Sequence, residues 1–261
     1  MALSYYSLLN YGIQIGTSNQ YIDFKASALG PELTGTIDIG FYSPASLADA
    51  IVAAMQAVDP LNSYSCTVNR TVAGGTQNRL TIATTGTFLS ILFGSGSHAA
   101  SSVAITAGFN RSDYTGATSY TGSASTGIVL IPELIGYNFQ DPKQTQKVFG
   151  AVNISAAGIK EAVVFNFQKF YEVEFRNEPK SRLLEWQNFF SWAIQQRPFD
   201  FTPELNVPTV FNQVTLESTQ ADGKGLSYLM KEMLPQFPNQ YTTGPLTFRV
   251  VDELTAFTTQ V

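Results

Sequence analysis

From Tyr114 to Gly127 the chain reads YTGATSYTGSASTG. Small polar residues and tyrosines without apolar periodicity, set between patterned segments, read as a loop or linker. Charge density changes beside this stretch. Residues 1–130 hold four of the 15 Lys/Arg (Lys25, Arg70, Arg79, Arg111) and six of the 20 Asp/Glu (Asp23, Glu32, Asp38, Asp49, Asp59, Asp113). The rest of the charge falls in the second half. A chain of 261 residues accommodates two domains of the usual ~100–200 residues. Two modules are therefore expected, 1–127 and 128–261.

The first module opens with an alternating segment, Tyr21–Lys25, and a second one from Leu33 to Ile39, where Leu33, Gly35, Ile37 and Ile39 share a face. Ser43 followed by Pro44 is a helix start, because Ser caps the free amides and Pro suits the first helical position. Leu47, Ile51, Ala54, Met55 and Val58 recur at spacings of three and four, which predicts a helix over 44–58 ended by Asp59-Pro60. Tyr64–Arg70 and Arg79–Thr84, separated by Gly74-Gly75, form a hairpin with a long loop. Phe88–Phe93 is a further strand, and Ser97–Thr106 a short helix. The result is an α+β unit.

In the second module Val148, Gly150, Val152 and Ile154 alternate. Within Val163–Arg176, Tyr171, Val173 and Phe175 alternate against Glu172, Glu174 and Arg176, a strand with one wet face. Glu178-Pro179 opens a helix to about Gln196, with Leu183, Trp186, Phe190 and Ala193 as its stripe, and Arg197-Pro198 stops it. Phe199–Phe201, Asn212–Ser218, Leu226–Met233 and Leu246–Val251 can be strands, though Leu226–Met233 fits a helix equally. These pieces pack most simply as a β-sandwich-like module carrying one helix. The fold class expected for the whole chain is mainly β with α+β features.

Composition narrows the function. Charged residues make up 13%, against a usual ~25%. A net charge of −5 and a pI near 4.9 argue against direct nucleic-acid recognition, which needs a concentrated basic surface. Cys66 is the only cysteine, so no intrachain disulfide forms, and it reads as a small buried residue. The N-terminus lacks a basic region followed by an apolar run. No window approaches the ~20 apolar residues of a membrane helix, so membrane insertion is not expected.

Catalytic machinery is hard to place. His98 is the only histidine. A Ser-His-Asp hydrolase would need it, yet no G-x-S-x-G elbow is present. It is expected at the surface or capping a short helix. The glycines of Gly94-Ser95-Gly96 lack the Gly-Lys-Ser/Thr ending of a phosphate loop, and Ala99 occupies the third site of G-x-G-x-x-G. One His and one Cys cannot furnish a zinc site, and no Asp-x-Asp-x-Asp run offers calcium its oxygens. Glu172 and Glu174 share a strand face but are flanked by Lys169 and Arg176, which reads as a solvated face. Asp222-Gly223-Lys224-Gly225 is a turn. No catalytic residue, metal or cofactor is expected.

Asn19-Gln20-Tyr21-Ile22-Asp23-Phe24, Thr36-Ile37, Gly40-Phe41-Tyr42-Ser43, Leu47-Ala48-Asp49-Ala50-Ile51, Arg79-Leu80-Thr81-Ile82, Leu92 to Gly96, Gly108-Phe109 and Asp113 to Gly116 follow in order. This series resembles a module of bacteriophage virion proteins over roughly residues 10–122. Leu184 to Phe190, followed by Arg197-Pro198-Phe199-Asp200-Phe201-Thr202-Pro203, loosely resembles the ring-forming domain of siphophage distal tail and minor tail proteins. Gln196-Arg197 stands where that family often has Gly. The resemblance implies a structural part of a tail or baseplate, distal-tail-like, hub-like or an adaptor. Its partners would be other tail proteins and copies of itself in a cyclic ring, within a virion assembled in the host cytoplasm.

Phe165, Phe167, Phe170, Tyr171, Phe175, Trp186, Phe189, Phe190, Trp192, Phe199 and Phe201 are more aromatics than one helix on one sheet readily buries. Some should then remain exposed as a subunit interface. Trp192, which lies off the helix stripe, Phe189 and Phe170 are the residues expected there. The other reading is a module binding host-surface carbohydrate, with Tyr114, Tyr120 and Tyr241 as sugar platforms.

Overall fold

A computed structural model describes residues 8–69, 78–130, 143–154, 160–175, 178–202, 212–217, 231–232, 240–243 and 245–251. The elements in chain order are β1 (Leu8–Tyr11), β2 (Ile13–Ile15), β3 (Tyr21–Lys25), β4 (Leu33–Thr36), β5 (Gly40–Tyr42), α1 (Pro44–Val58), β6 (Tyr64–Val68), β7 (Leu80–Thr84), β8 (Leu89–Leu92), β9 (Asp113–Ala117), β10 (Ser119–Thr121) and β11 (Ile128–Leu130). The second half continues with β12 (Lys143–Ile154), β13 (Lys160–Glu174), β14 (Glu178–Pro179), α2 (Leu183–Ala193), β15 (Phe199–Thr202), β16 (Asn212–Leu216), β17 (Lys231–Glu232), β18 (Gln240–Thr242) and β19 (Pro245–Val250). The protein is mainly β with α+β features, the class its patterning indicates.

Two separate cores organise these elements. The first gathers Ile13, Ile22, Phe24, Leu47, Ile51, Met55, Ile82, Ile91 and Phe109 among others. Helix α1 lays Leu47, Ala48, Ile51, Ala54 and Met55 into it, while Val58 stays exposed. Its start is fixed as the sequence indicates: the Ser43 hydroxyl accepts from the Ser46 amide at 3.2 Å, and the Ser46 hydroxyl accepts from the Ser43 amide at 2.9 Å. Such reciprocal capping satisfies two otherwise orphaned helix donors. Around the helix stand the sheets β4-β3-β8-β9, β10-β7-β6 and the pair β2-β5.

The second core is aromatic. Trp186, Phe189 and Phe190 from α2 meet Phe199 and Phe201 from β15 and Phe248 from β19. Ring centroids sit 5.0 Å apart for Phe189 and Phe199 and 5.1 Å for Phe201 and Phe248, both edge to face. That geometry places positive ring edges on negative faces. The helix covers one antiparallel sheet of order β11-β1-β15-β16-β19-β13-β12, beside a small sheet β14-β18-β17.

Several local expectations change. The stretch from Tyr114 to Gly127 is not a free linker, because β9 and β10 lie within it. Strand β9 pairs with β8 and β10 with β7, and Tyr120 is buried. Thr, Ser and Tyr alternate there, and a single tyrosine turned inward anchors the strand. The segment Ser97–Thr106 holds only a 3-10 turn at Ala99–Ser101. Helix α2 starts at Leu183, since Glu178-Pro179 pairs with β18 instead. The Gly74-Gly75 loop, the 222–225 turn and residues 226–230 lie outside the described residues.

The cores do not divide the chain at one point. Leu9 and Tyr11 of β1 belong to the second core, with Leu130 and the later strands. Strand β1 sits between β11 and β15, in register Tyr11↔Ile128 and Leu9↔Phe201. The first module is thus inserted into the second between two paired strands. Gly12 (φ +88°) and Gly127 (φ +74°) stand at the two crossings, and a Cβ on Gly127 would fall 2.7 Å from the Tyr11 carbonyl. Joined directly, Tyr11-Gly12-Gly127-Ile128 would read as a two-residue β-hairpin, whose favoured turn needs positive φ at both central positions.

Candidate functional site

His98, expected at the surface or capping a short helix, stands at the N-cap position of the Ala99–Ser101 turn with its side chain 39% exposed, beside a cluster of carboxylates. Asp23 on β3 is buried to 1% exposure. It accepts the His98 backbone N–H at 2.6 Å, sits 3.2 Å from His98 Nδ1, and takes the Thr34 hydroxyl at 2.7 Å. The His98 ring lies on Tyr21, with centroids 4.3 Å apart. Ser97 Oγ is 3.1 Å from that same Nδ1 and donates to Glu32 at 2.6 Å. In a nucleophilic triad the two ring nitrogens divide the work, one on the acid and one on the serine. Here acid and serine meet one nitrogen, so no triad is assembled.

Four of the five loop amides from Gly94 to His98 face carboxylates, and the Gly96 N–H donates to the Leu92 carbonyl instead. Gly94 N–H and Ser95 N–H donate to Asp113 at 2.8 and 3.0 Å, and Ser97 N–H donates to Glu32 at 2.7 Å. A run of amides of this sort would bind a phosphate if left open. The chain's own acids fill it. Burial raises the Asp113 pKa, but bonds from the Ser95 hydroxyl and the Gly94 and Ser95 amides together outweigh it and hold the carboxyl below its ordinary value. Sequence reasoning missed Asp23, Glu32 and Asp113 as one set, because they come from three separate strands and loops.

The residues expected at a subunit interface are packed inside the monomer. Phe189 is fully buried, Phe170 is 2% exposed and Trp192 is 8% exposed. Of the aromatics expected in surplus, those with described side chains are buried, because strands β1, β11, β13, β15, β16 and β19 all contribute to the core that α2 covers; the Phe165 and Phe167 side chains lie outside the described residues. Trp192 does make an interface, but within the chain. Its Nε1 donates to the Pro198 carbonyl at 3.0 Å, and its ring meets Phe41 of β5 edge to face at 5.3 Å. The Arg197 guanidinium lies 3.9 Å over the Phe41 ring and 5.0 Å over Trp192. Helix α2 is therefore covered on two sides, by its own sheet and by the inserted module.

The tyrosines expected as sugar platforms are also engaged. Tyr120 is buried and donates to the Leu89 carbonyl at 2.8 Å. Tyr114 is half-buried against Phe93, Phe109 and Tyr120. Tyr241 packs on the second core. Cys66 is half-buried, and burial, with a smaller effect of Asp49, pushes its thiol up to about 12, far from a reactive thiolate. In the second module Glu178, also unforeseen, is fully buried and takes the Trp186 indole N–H at 2.9 Å, with Arg182 at 3.4 Å. Among the described residues no group of three or more His, Cys, Asp or Glu could hold a metal, and no helix is long and apolar enough to cross a membrane.

Strands β11 and β12 end the seven-stranded sheet on either side, with no further described strand beside them. Comparison with protein-family models and with curated proteins finds no match to this chain.

Proposed function

We propose that this protein is a non-enzymatic structural component of a bacteriophage tail or baseplate, assembling with copies of itself into or onto a ring. The carrying observation is the seven-stranded sheet ended on one side by the 12-residue strand β12, which no further described strand flanks. A row of free backbone donors and acceptors is a template for another chain, and soluble proteins that keep one use it or guard it. The ordered motifs that resemble those of virion modules support the tail setting. Filling of the 94–98 loop by the chain's own carboxylates supports a structural rather than chemical role. No observation favours the carbohydrate reading, since its three tyrosines are engaged in packing.

Light scattering on the purified full-length chain, across a range of concentrations, tests the reading. Masses of several chains are expected, and a single-chain mass throughout would overturn it. Antibody labelling of intact virions should decorate the tail, and labelling of the head alone would remove the tail assignment. A strong chelator should leave both mass and folding unchanged.

A further inference from the structure

Strand β13 is bonded to β19 only from Phe170 to Glu174. Its remaining length, from Lys160, pairs with β12 alone among the described strands. The register Thr145↔Phe170 means that β12 beyond Thr145 likewise has one described neighbour. The two strands leave the sheet as an antiparallel ribbon roughly 30 Å long at ~3.4 Å per residue. A two-stranded ribbon by itself is marginal in water.

The sequence divides the ribbon. Near the sheet β12 carries Lys143 and Lys147, the charges that commonly guard an edge. Further out, Val148–Val152 (VFGAV) and its partner stretch Ala162–Phe167 (AVVFNF) contain no charge and no proline, and charge returns only at the tip, where Lys160 and Glu161 lie opposite Ile154 and Asn153. An uncharged edge of high β propensity is the pattern that pairs with a further strand. The register shift at Phe149/Gly150 opposite Asn166 and Val164 leaves Phe165 as an extra residue, and such a bulge bends a ribbon and increases its twist.

We propose that this ribbon is the contact between copies, the outer edge of β12 in one chain pairing with the outer edge of β13 in the next. The proposal rests on the assembly reading above and names its surface. The partner is a second copy for a geometric reason. Among the described residues neither outer edge of the ribbon is covered, and a two-fold pairing of β12 with β12 would leave the β13 edge without a partner strand. Head-to-tail pairing keeps every neighbour antiparallel and covers both edges, and closing it into a ring removes edges altogether. The uncharged stretches Val148–Val152 and Ala162–Phe167 also meet without electrostatic conflict, although each copy carries net charge −5.

The test uses the full-length chain with Cys66→Ser, bearing a single new cysteine at 149, 151 or 153 on β12, or at 162, 164 or 166 on β13. One set carries a tag that changes its mass, and each variant is checked for folding by circular dichroism. After mild oxidation, mixtures of a β12 variant with a β13 variant should cross-link several-fold more than either variant alone. Preferential self-linking of β12 variants would overturn the head-to-tail arrangement. Absence of any link in an assembly that light scattering shows to be multimeric would place the contact elsewhere and leave the assembly reading standing, whereas a monomer at every concentration would remove both. Hydrogen exchange on the unmodified protein gives an independent reading: amides in 148–154 and 160–168 should lose protection on dilution to monomer, and unchanged protection would overturn the proposal.

Discussion

The two cores solve the same problem with different materials. The inserted module wraps small sheets around one capped helix, uses mostly aliphatic side chains, and turns its loop acids inward onto its own amides. The host module spreads one broad sheet under an aromatic helix and leaves a long ribbon unflanked among the described strands. In the inserted module the carboxylates of Asp23, Glu32 and Asp113 take up loop amides that a ligand could otherwise use. In the host module no described strand flanks the outer side of β12, and an edge of that kind is a template for another chain. On that basis the proposed assembly is assigned to the host module, with the inserted module carried by it.

The most drastic way to break this comparison is surgical. Deleting Ile13–Thr126 and joining Gly12 to Gly127 should leave a host module that still folds, with the near-ultraviolet dichroism of its aromatic core and a cooperative unfolding transition. The fragment 128–261, which lacks β1, should not fold, because β1 fills the place between β11 and β15. A folded 128–261 fragment would show that the chain divides simply at residue 127.

Point changes in each core sharpen the same question. Trp186→Ala removes a fully buried ring that touches Phe175, Phe189 and Phe190. It should cost the host module about 3–5 kcal/mol, and Ile51→Ala the inserted module about 2–5 kcal/mol. In denaturant each should move one transition and spare the other. Joint movement of both would mean one cooperative unit.

The contact between the modules is weaker. Arg197→Ala removes the guanidinium over Phe41 and Trp192 and should cost about 0.5–1 kcal/mol, seen as easier unfolding of the inserted module without loss of the host core. An unchanged profile would assign the junction to the paired glycine crossings alone.

The smallest effect is expected in acid, and in the inserted module. The Asp59 carboxyl is held below its usual range chiefly by the Tyr64 hydroxyl, 2.5 Å away, against the opposing effect of burial and with further help from Asn62 and Leu61. Asp113 is held low as well. Acids lowered in the folded state stabilise it fully above the unfolded carboxylate pKa of ~3.9, and that contribution is lost as pH falls through the folded values. The urea midpoint of the inserted module should drop between neutral pH and pH ~3. Tyr64→Phe should shrink the drop, and an equal drop in the variant would refute the link. At the alkaline end the sign reverses for tyrosine: burial, with Glu185 nearby, raises Tyr11 to about 12, so its contribution to the host core is lost only as pH rises above its ordinary value.

What the sequence determined by itself was local. Helix α1 follows from Ser43, Pro44 and a stripe at spacings of three and four, and its observed bounds, Pro44–Val58, are those the pattern predicts. Strands β3, β7, β15 and β19 follow from alternation and punctuation in the same way, since such patterns are read within one element. Long-range pairing decided the rest. Nothing in Leu8–Tyr11 tells that it joins strands more than a hundred residues later, and nothing in Tyr114–Gly127 announces β9 and β10 until their partners are in place. Trp192 looked surplus because a helix stripe counts one covered side, whereas the tertiary structure supplied two. Asp23, Glu32 and Asp113 became a set only when β3, its hairpin loop and β9 converged on 94–98. Hydrogen bonds between distant segments carry no periodicity in the chain that makes them, so only the folded arrangement could reveal an insertion between two glycines and a long strand with no described neighbour on its outer side.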